Sequence, residues 1–110
     1  PRAMQRLRGE GIEVVVVTLG ADGALIADDA GVARVRVPRI DEINPTGSGD
    51  LLLAGLTVGI ERGLSSREAL VLGAACGTAG ATHLRPELPA SFEPEEWTSR
   101  IALERAVGGW

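Results

Sequence analysis

The run from Ile12 to Leu19 constrains the fold more than any other segment of this chain. It reads IEVVVVTL, a nearly continuous apolar and β-branched stretch with a glycine on each side. β-Branched residues favour strands, and a strand without polar alternation is typical of a parallel sheet that is covered on both faces. Aromatic residues make up only 3% of the chain, so its core must be built from Val, Leu, Ile and Ala.

Two further strands are predicted directly after this one. Residues 20–23 (GADG) and 28–31 (DDAG) have the composition of turns, and the apolar segment 24–27 between them is predicted to be a strand. Residues 32–37 read VARVRV, in which apolar residues alternate with arginine. Such alternation leaves one face in water, so this segment is predicted to be an edge strand or the outer strand of a hairpin.

Helical patterns occupy most of the remaining sequence. Helices are predicted over residues 3–9, 48–62, 67–83 and 95–106, which gives the order α-β-β-β-α-α-α and an α/β fold. Leu52, Leu56 and Ile60 recur at helical spacing and are expected to form the buried stripe of the second helix. Gly63 is expected to end that helix, and a serine at position 65 or 66 is expected to cap the next.

The charge balance excludes several classes of function. Acidic residues (15) outnumber basic residues (11), and the resulting net charge of −4 argues against a generic nucleic-acid surface or an anionic membrane surface. All 11 basic residues are arginines. The absence of lysine excludes a Walker A phosphate loop and Schiff-base chemistry, because both need a lysine side chain.

Few side chains could bind a metal or form a disulfide. The chain has one cysteine and one histidine, too few for a zinc site or an intrachain disulfide, and no metal ligands are predicted. Cys76 is expected to be a buried small hydrophobe, and His83 is expected to have a structural role near a helix end. The longest apolar stretch is too short to span a bilayer, and no signal peptide is visible, so a soluble, cytoplasmic protein is expected.

The segment Asn44–Asp50 carries the sharpest chemical signal. It reads NPTGSGD and runs directly into an apolar helix. The first N–H groups of a helix have no intrahelical partner, and together with the helix dipole they attract anions. Glycines at 47 and 49 remove the Cβ atoms that would keep an anion away. Gly47, Ser48 and Gly49 are therefore candidates for an anion hole.

Asp50 lies in the first turn of this predicted helix, where its carboxylate would repel a resting phosphate. General base chemistry would explain such a residue: the carboxylate accepts a hydroxyl proton while the N–H groups stabilise a transferring phosphoryl group. The alternative is that Gly-Ser-Gly-Asp is an ordinary loop with a capping aspartate.

A second candidate segment follows the predicted strand over 12–19. In open α/β sheets, ligands bind at the carboxyl ends of the strands, and glycines there let a nucleotide approach the backbone. The alternative is a tight hairpin turn. The candidate nucleotide-binding residues are Thr18, Leu19, Gly20, Ala21, Asp22 and Gly23.

Together these two segments resemble the C-terminal part of the ribokinase-like sugar kinases, also called the phosphofructokinase B family. That family carries a D/N-x-T-G-A/S-G-D motif before an L-x-A-G helix, here Asn44–Asp50 followed by Leu53–Gly55, and a strand ending in T/S-x-G-x-x-G, here Thr18–Gly23. The form NPTGSGD is similar to the branch that phosphorylates phosphosugars, 1-phosphofructokinase and tagatose-6-phosphate kinase.

The resemblance implies a fold, a reaction and roles for the candidate residues. The fold is the C-terminal portion of a ribokinase-like three-layer α/β/α architecture, and the cofactors are ATP and Mg²⁺. Asp50 takes the proton from a sugar hydroxyl, the amides around Gly47, Ser48 and Gly49 hold the transferring phosphoryl group, and Thr18–Gly23 lies along ATP together with Gly49. The expected partners are ATP and a sugar or sugar phosphate, without nucleic acid or membrane, and a homodimer of the full-length parent is allowed.

Two alternatives to this interpretation stay open. Members of the family are about three times longer than 110 residues, so residues 1–110 are expected to be a C-terminal segment of a kinase domain whose substrate-binding half is absent. Such a chain could instead be an inactive fragment or degenerate module that at most binds a nucleotide. Within the same superfamily, a substrate such as ribose, a nucleoside or ketodeoxygluconate is also compatible with these motifs.

Arg34, Arg36 and Arg39 form a local basic cluster in and after the third predicted strand. Because long arginine side chains cover apolar surface while their charge stays in water, they are interpreted as a solvated strand face. A contact with a phosphate group is the alternative.

Overall fold

An antiparallel four-stranded sheet with helices on both faces forms the core of the protein. The computed structural model describes residues 2–38, 48–80 and 93–105. Its elements are α1 (Arg2–Gly9), β1 (Val15–Thr18), β2 (Ala24–Asp28), β3 (Gly31–Arg36), α2 (Ser48–Glu61), α3 (Ser66–Gly80), α4 (Pro94–Thr98) and β4 (Ala102–Arg105), and a single 3₁₀ turn, Gly20–Asp22, joins β1 to β2. No helix in these three ranges is long and apolar enough to cross a bilayer.

The strands follow one another in the order β1-β2-β3-β4, and each pair is antiparallel. Successive side chains of a strand point to opposite faces, so the sheet has two apolar layers. On one face, Leu25 and Ala27 pack with Met4 of α1. On the other face, Ala24, Ile26, Ala33 and Val35 pack with Leu70 and Ala74 of α3. The result is a three-layer α/β/α arrangement, as the fold prediction required.

Helices α2 and α3 pack against each other through glycines. A Cβ atom added at Gly73 would lie 2.5 Å from the carbonyl oxygen of Leu52, and one added at Gly59 would lie 2.9 Å from the Cα of Ala69. Gly55 faces Gly73 at the same close range. Because positions later in α2 meet positions earlier in α3, the two helices are antiparallel. We call this contact the glycine seam; it lets the two backbones approach as only glycine allows.

The ends of the two helices use local signals that the sequence contains. The backbone N–H of Glu68 donates to the Ser65 hydroxyl, and the N–H of Ser65 donates to the Glu68 carboxylate, each over 3.2 Å. This reciprocal pair is a capping box, and it confirms a serine cap for α3. Gly63, with a φ of 86°, ends α2 as expected.

A partly buried ion pair fastens the start of α3 to the sheet. The Nε–H of Arg67 donates a hydrogen bond to one Asp28 carboxylate oxygen over 2.9 Å, and its Nη2–H donates to the other oxygen over 2.8 Å. It also donates to the carbonyl of Gly31 over 3.2 Å. Asp28 is buried, with 5% of its surface exposed. These bonds connect the first turn of α3 to the β2–β3 turn.

The structure differs from the expected placement of β1 and from one of the two alternatives for β3. β1 was expected in the interior of a parallel sheet, but its described pairing is antiparallel to β2 alone, and Val17 and Thr18 are exposed. β3 is predicted to be an edge strand or the outer strand of a hairpin; it forms a hairpin with β2, but it lies between β2 and β4 and not at an edge. Apolar and arginine residues alternate in β3 because one face of this strand is partly exposed to water. An interior strand also has such a face where α1 does not cover the sheet.

The buried stripe of α2 also differs from the expected one. Leu52 and Leu56 pack against the core as predicted, but Ile60 is 54% exposed. The buried positions between the two leucines and beyond them are Gly55 and Gly59. A hydrophobicity pattern gives glycine little weight. It therefore assigns exposed Ile60 to the buried face of α2 and misses the two buried glycines.

The predicted helix over 95–106 is largely wrong. A single short helix ends at Thr98, and residues 102–105 form β4 instead. The backbone turns through Arg100 and Ile101, whose N–H groups donate to the carbonyls of Trp97 and Thr98. β4 then pairs with the outer edge of β3, whose backbone N–H and C=O groups would otherwise lack strand partners. The hydrogen bonds of this pairing stabilise an extended conformation more than the local helix propensity of residues 102–105 stabilises a helix.

Replacing Gly73 by alanine tests the glycine seam. Alanine favours a helix by about 1 kcal/mol over glycine, but its Cβ would collide with the backbone of α2, so we expect a net loss of about 1–3 kcal/mol. Gly9→Ala is the matched control, because a Cβ at Gly9, also in a helix, meets no atom within 4 Å. Unfolding in urea measures both, and equal effects of the two variants would contradict the seam.

The ion pair predicts a pH-dependent stability. Arg67 holds the pKa of the Asp28 carboxyl below its ordinary value of 3.8 by hydrogen bonding to the charged form. A lowered folded-state pKa contributes stability that is present above the unfolded-state pKa and is lost as pH falls through the folded-state pKa. We expect Asp28→Asn to cost about 3 kcal/mol at neutral pH and progressively less below about pH 4.

Asp29→Asn is the matched control for this measurement, since Asp29 is the exposed neighbour of Asp28. Its free energy of unfolding should stay within about 0.5 kcal/mol of the parent value across the same range. A difference between Asp28→Asn and the parent that stays constant from neutral to acid pH would contradict the ion-pair account.

Candidate functional site

The turn after β1 is held by its own backbone. The N–H of Leu19 donates to the carbonyl of Gly23 over 2.8 Å, the N–H of Asp22 donates to Leu19 over 3.1 Å, and the N–H of Gly23 donates to Gly20 over 3.1 Å. Gly20 has a φ of 60°. Thr18, Leu19, Gly20 and Asp22 are all exposed, so the outer surface of the turn is open to a ligand.

Gly23 has a packing role in this turn. Its φ is 91°, and a Cβ atom there would lie 1.8 Å from the carbonyl oxygen of Val35 on β3. The turn is therefore pressed against the neighbouring strand at a point where no side chain fits. Gly20, by contrast, has open space at its Cβ position, which leaves room for a ligand above it.

Arg34 also holds the turn, which the sequence analysis did not foresee. Its NH2 group donates to the backbone carbonyl of Asp22 over 3.0 Å. The interpretation of the arginines as a solvated strand face therefore holds for exposed Arg36, which pairs with Glu104 over 2.6 Å, but is wrong for half-buried Arg34. The available signal was the hairpin itself, because strand pairing sets Arg34 opposite Leu25, two residues from Gly23.

Asp50 lies in the first turn of α2 and is exposed. Gly49 precedes it in the same turn, and a Cβ at Gly49 would meet no atom within 4 Å. Ser48 is the first residue of the helix. Gly47 and the rest of the motif lie outside the described residues, as does the side chain of Ser48. The described part of the motif is thus an open helix N-terminus beside an exposed carboxylate.

Asp50 and the 20–22 turn lie at the same end of the structure. The register pairs Thr18 with Ala24, whereas Asp28 lies at the opposite end of β2, where Arg67 fastens the start of α3. Because α2 runs antiparallel to α3, the first turn of α2 lies beside the last turns of α3, away from that ion pair. Both candidate segments therefore lie on the side of the fold away from that ion pair.

Other reactive side chains do not join this site. Cys76 is buried in the glycine seam, and burial raises the pKa of its thiol, as expected of a small buried hydrophobe. His83 lies outside the described residues. Within residues 2–38, 48–80 and 93–105, no three His, Cys, Asp or Glu side chains are grouped so that they could hold a metal ion.

Comparison with known proteins places these features in a family. The 1-phosphofructokinase of Haemophilus influenzae is 39% identical over 74 residues, which are 66% of this chain and 24% of that protein. The inositol 3-kinase of Oryza sativa is 40% identical over 94 residues, 84% of this chain and 23% of that protein. This chain therefore spans about a quarter of the length of these relatives.

Solved structures share the fold. Phosphofructokinase-2 from Escherichia coli, in complex with potassium, superposes with a TM-score of 0.80 at 25% identity and covers 89% of this chain and 32% of its own. Ribokinase from Thermotoga maritima superposes with a TM-score of 0.79 at 23% identity, over 89% of this chain and 34% of its own. The ribokinase-like fold that the motifs implied is confirmed.

The family model of the pfkB carbohydrate kinases matches residues 2–90. That range includes both candidate segments, the glycine seam and the sheet strands β1 to β3. The match confirms the resemblance that the two motifs indicated. The chain belongs to the pfkB family of carbohydrate kinases.

Proposed function

We propose that the protein transfers the γ-phosphoryl group of ATP to a hydroxyl of a sugar or sugar phosphate. The observation that carries this proposal is the exposed carboxylate of Asp50 in the first turn of α2, beside an open helix N-terminus. Family membership supports the reaction class, and the kinase names of the similar proteins support the acceptor class.

Asp50 is the general base in this mechanism. Its carboxylate takes the proton from the attacking hydroxyl, whose oxygen then bonds to the γ-phosphorus of ATP. The bond between that phosphorus and the bridging oxygen to the β-phosphate breaks, and ADP leaves with the electron pair. An exposed carboxylate can meet a substrate hydroxyl without a rearrangement of α2.

The N-terminal amides of α2 stabilise the charge that develops on the phosphoryl group. Gly47, Ser48 and Gly49 supply these donors, and the empty space at the Cβ position of Gly49 lets phosphate oxygens approach the backbone. The proposed binding surface for the rest of ATP is the Thr18–Gly23 segment, in which Thr18, Leu19, Gly20 and Asp22 are exposed. Ala21 and Asp22 fall within it, at the 3₁₀ turn.

Magnesium supplies charge neutralisation when ATP is bound as its metal complex. The described residues contain no cluster of carboxylates that fits such an ion, so none of them is assigned as a metal ligand. The chain's own contribution is the placement of a base and a set of backbone donors.

The names of the similar proteins support more than one type of acceptor. The match to 1-phosphofructokinase and the NPTGSGD form of the motif favour a phosphorylated ketohexose. The match to inositol 3-kinase favours an unphosphorylated polyol. The proposal takes the phosphosugar as the acceptor, since the motif form and a relative agree on it.

Asp50→Asn tests the base assignment. In the full-length protein, we expect the rate of ATP turnover to fall by about two to four orders of magnitude, because asparagine keeps the size of the side chain but cannot accept the hydroxyl proton. Turnover should be measured with fructose 1-phosphate, fructose 6-phosphate, tagatose 6-phosphate and inositol as acceptors.

Glu61→Gln is the matched control, since Glu61 is an exposed carboxylate on the same helix, at its opposite end. It should leave turnover near the parent value. Near-parent turnover in Asp50→Asn with every acceptor would overturn the base assignment. Absence of turnover in the parent itself with every one of these acceptors would instead support the alternative of a module that at most binds a nucleotide.

A further inference from the structure

We propose that Arg34 is a positioning residue that fixes the Gly20–Asp22 turn in the shape that receives ATP. This inference rests on the proposed function, because it takes the turn as part of the nucleotide site. Its structural basis is the bond from the Arg34 guanidinium to the Asp22 carbonyl over 3.0 Å.

The turn is attached to β3 at two successive residues. Gly23 lies directly on the carbonyl of Val35, and Asp22 is bonded to the side chain of Arg34. The first attachment blocks movement of the turn toward the sheet, whereas the second prevents movement away from it. Without Arg34, the hydrogen bonds that remain in the turn are those of its own backbone, which close a loop of only five residues.

The environment of Arg34 gives its side chain one preferred direction. Its Nε is buried without a hydrogen-bond partner among the described residues, whereas its NH2 end reaches the exposed turn. An unpaired buried donor costs free energy. An apolar residue at position 34 would avoid this cost in folding free energy. The guanidinium offsets it with the hydrogen bond to the Asp22 carbonyl.

Arg36 makes the assignment specific. It lies two residues further along β3, on the same face, yet it pairs with Glu104 of β4 and not with the turn. Two arginines of the same strand and face therefore have different partners. Removal of one should affect the turn, and removal of the other should affect the pairing with β4.

The test compares Arg34→Met with Arg36→Met in the full-length protein. Hydrogen exchange reports the turn directly, through the hydrogen-bonded amides of Leu19, Asp22 and Gly23. We expect exchange at these amides to become about tenfold faster in Arg34→Met and to stay unchanged in Arg36→Met. Steady-state kinetics should show a KM for ATP raised about tenfold in Arg34→Met with kcat near the parent value, because the bond shapes a binding surface and does not touch reacting atoms.

Arg34→Lys separates positioning from packing. A lysine keeps a charged donor on a long apolar stem, so it should restore exchange protection and bring the KM for ATP to within about threefold of the parent value. Faster exchange throughout β2 and β3 in Arg34→Met, without rescue by lysine, would mean a general packing role and would overturn the inference.

The remaining outcomes distinguish this inference from the proposed function. Unchanged exchange at the turn in Arg34→Met would overturn the inference and leave the role of Asp50 untouched. Faster exchange with an unchanged KM for ATP would also overturn it, by showing that the turn does not receive the nucleotide. A loss of turnover confined to Asp50→Asn would still support the base assignment in that case.

Discussion

The close contact between α2 and α3 determines where the chemistry of this protein is placed. Gly73 and Gly55 allow the two backbones to meet at a distance that any side chain would prevent. α3 is in turn fixed to the sheet by the Asp28–Arg67 ion pair and by the packing of Leu70. The orientation of α2, and with it the position of Asp50, follows from contacts that begin at Leu52, two residues after Asp50, and continue along the helix.

The candidate site has two parts with different mechanical support. Asp50 stands on a long helix that packs along most of its length, so its backbone has little freedom. The 20–22 turn depends on one glycine contact and one arginine bond to β3. A general base must lie within hydrogen-bond distance of the proton that it accepts, so it needs the fixed position that a packed helix gives. A surface that binds and releases a nucleotide tolerates the fewer contacts that hold the 20–22 turn.

The sequence predicts the parts of this structure that depend on local chemistry. The capping box at Ser65, the helix end at Gly63 and the motif before α2 are all readable because the residues that form them are neighbours in the chain. The strand at 102–105 is not readable, because it forms on a free edge of β3 that local sequence does not describe. The same holds for Arg34, whose partner is a carbonyl on another strand, and for the buried face of α2, where the decisive residues are glycines. The roles of Asp50 and the anion-hole glycines remain predictions.

The seam also contains the chain's single cysteine. The Sγ of Cys76 lies 2.9 Å from the position that a Cβ on Gly55 would occupy, and burial raises the pKa of the thiol. Because the thiol is buried between α2 and α3, a thiol reagent reaches it when the two helices separate. The rate of thiol modification therefore measures how often that separation occurs. The cysteine is therefore a reporter for a motion that would also displace Asp50, since Asp50 lies on α2.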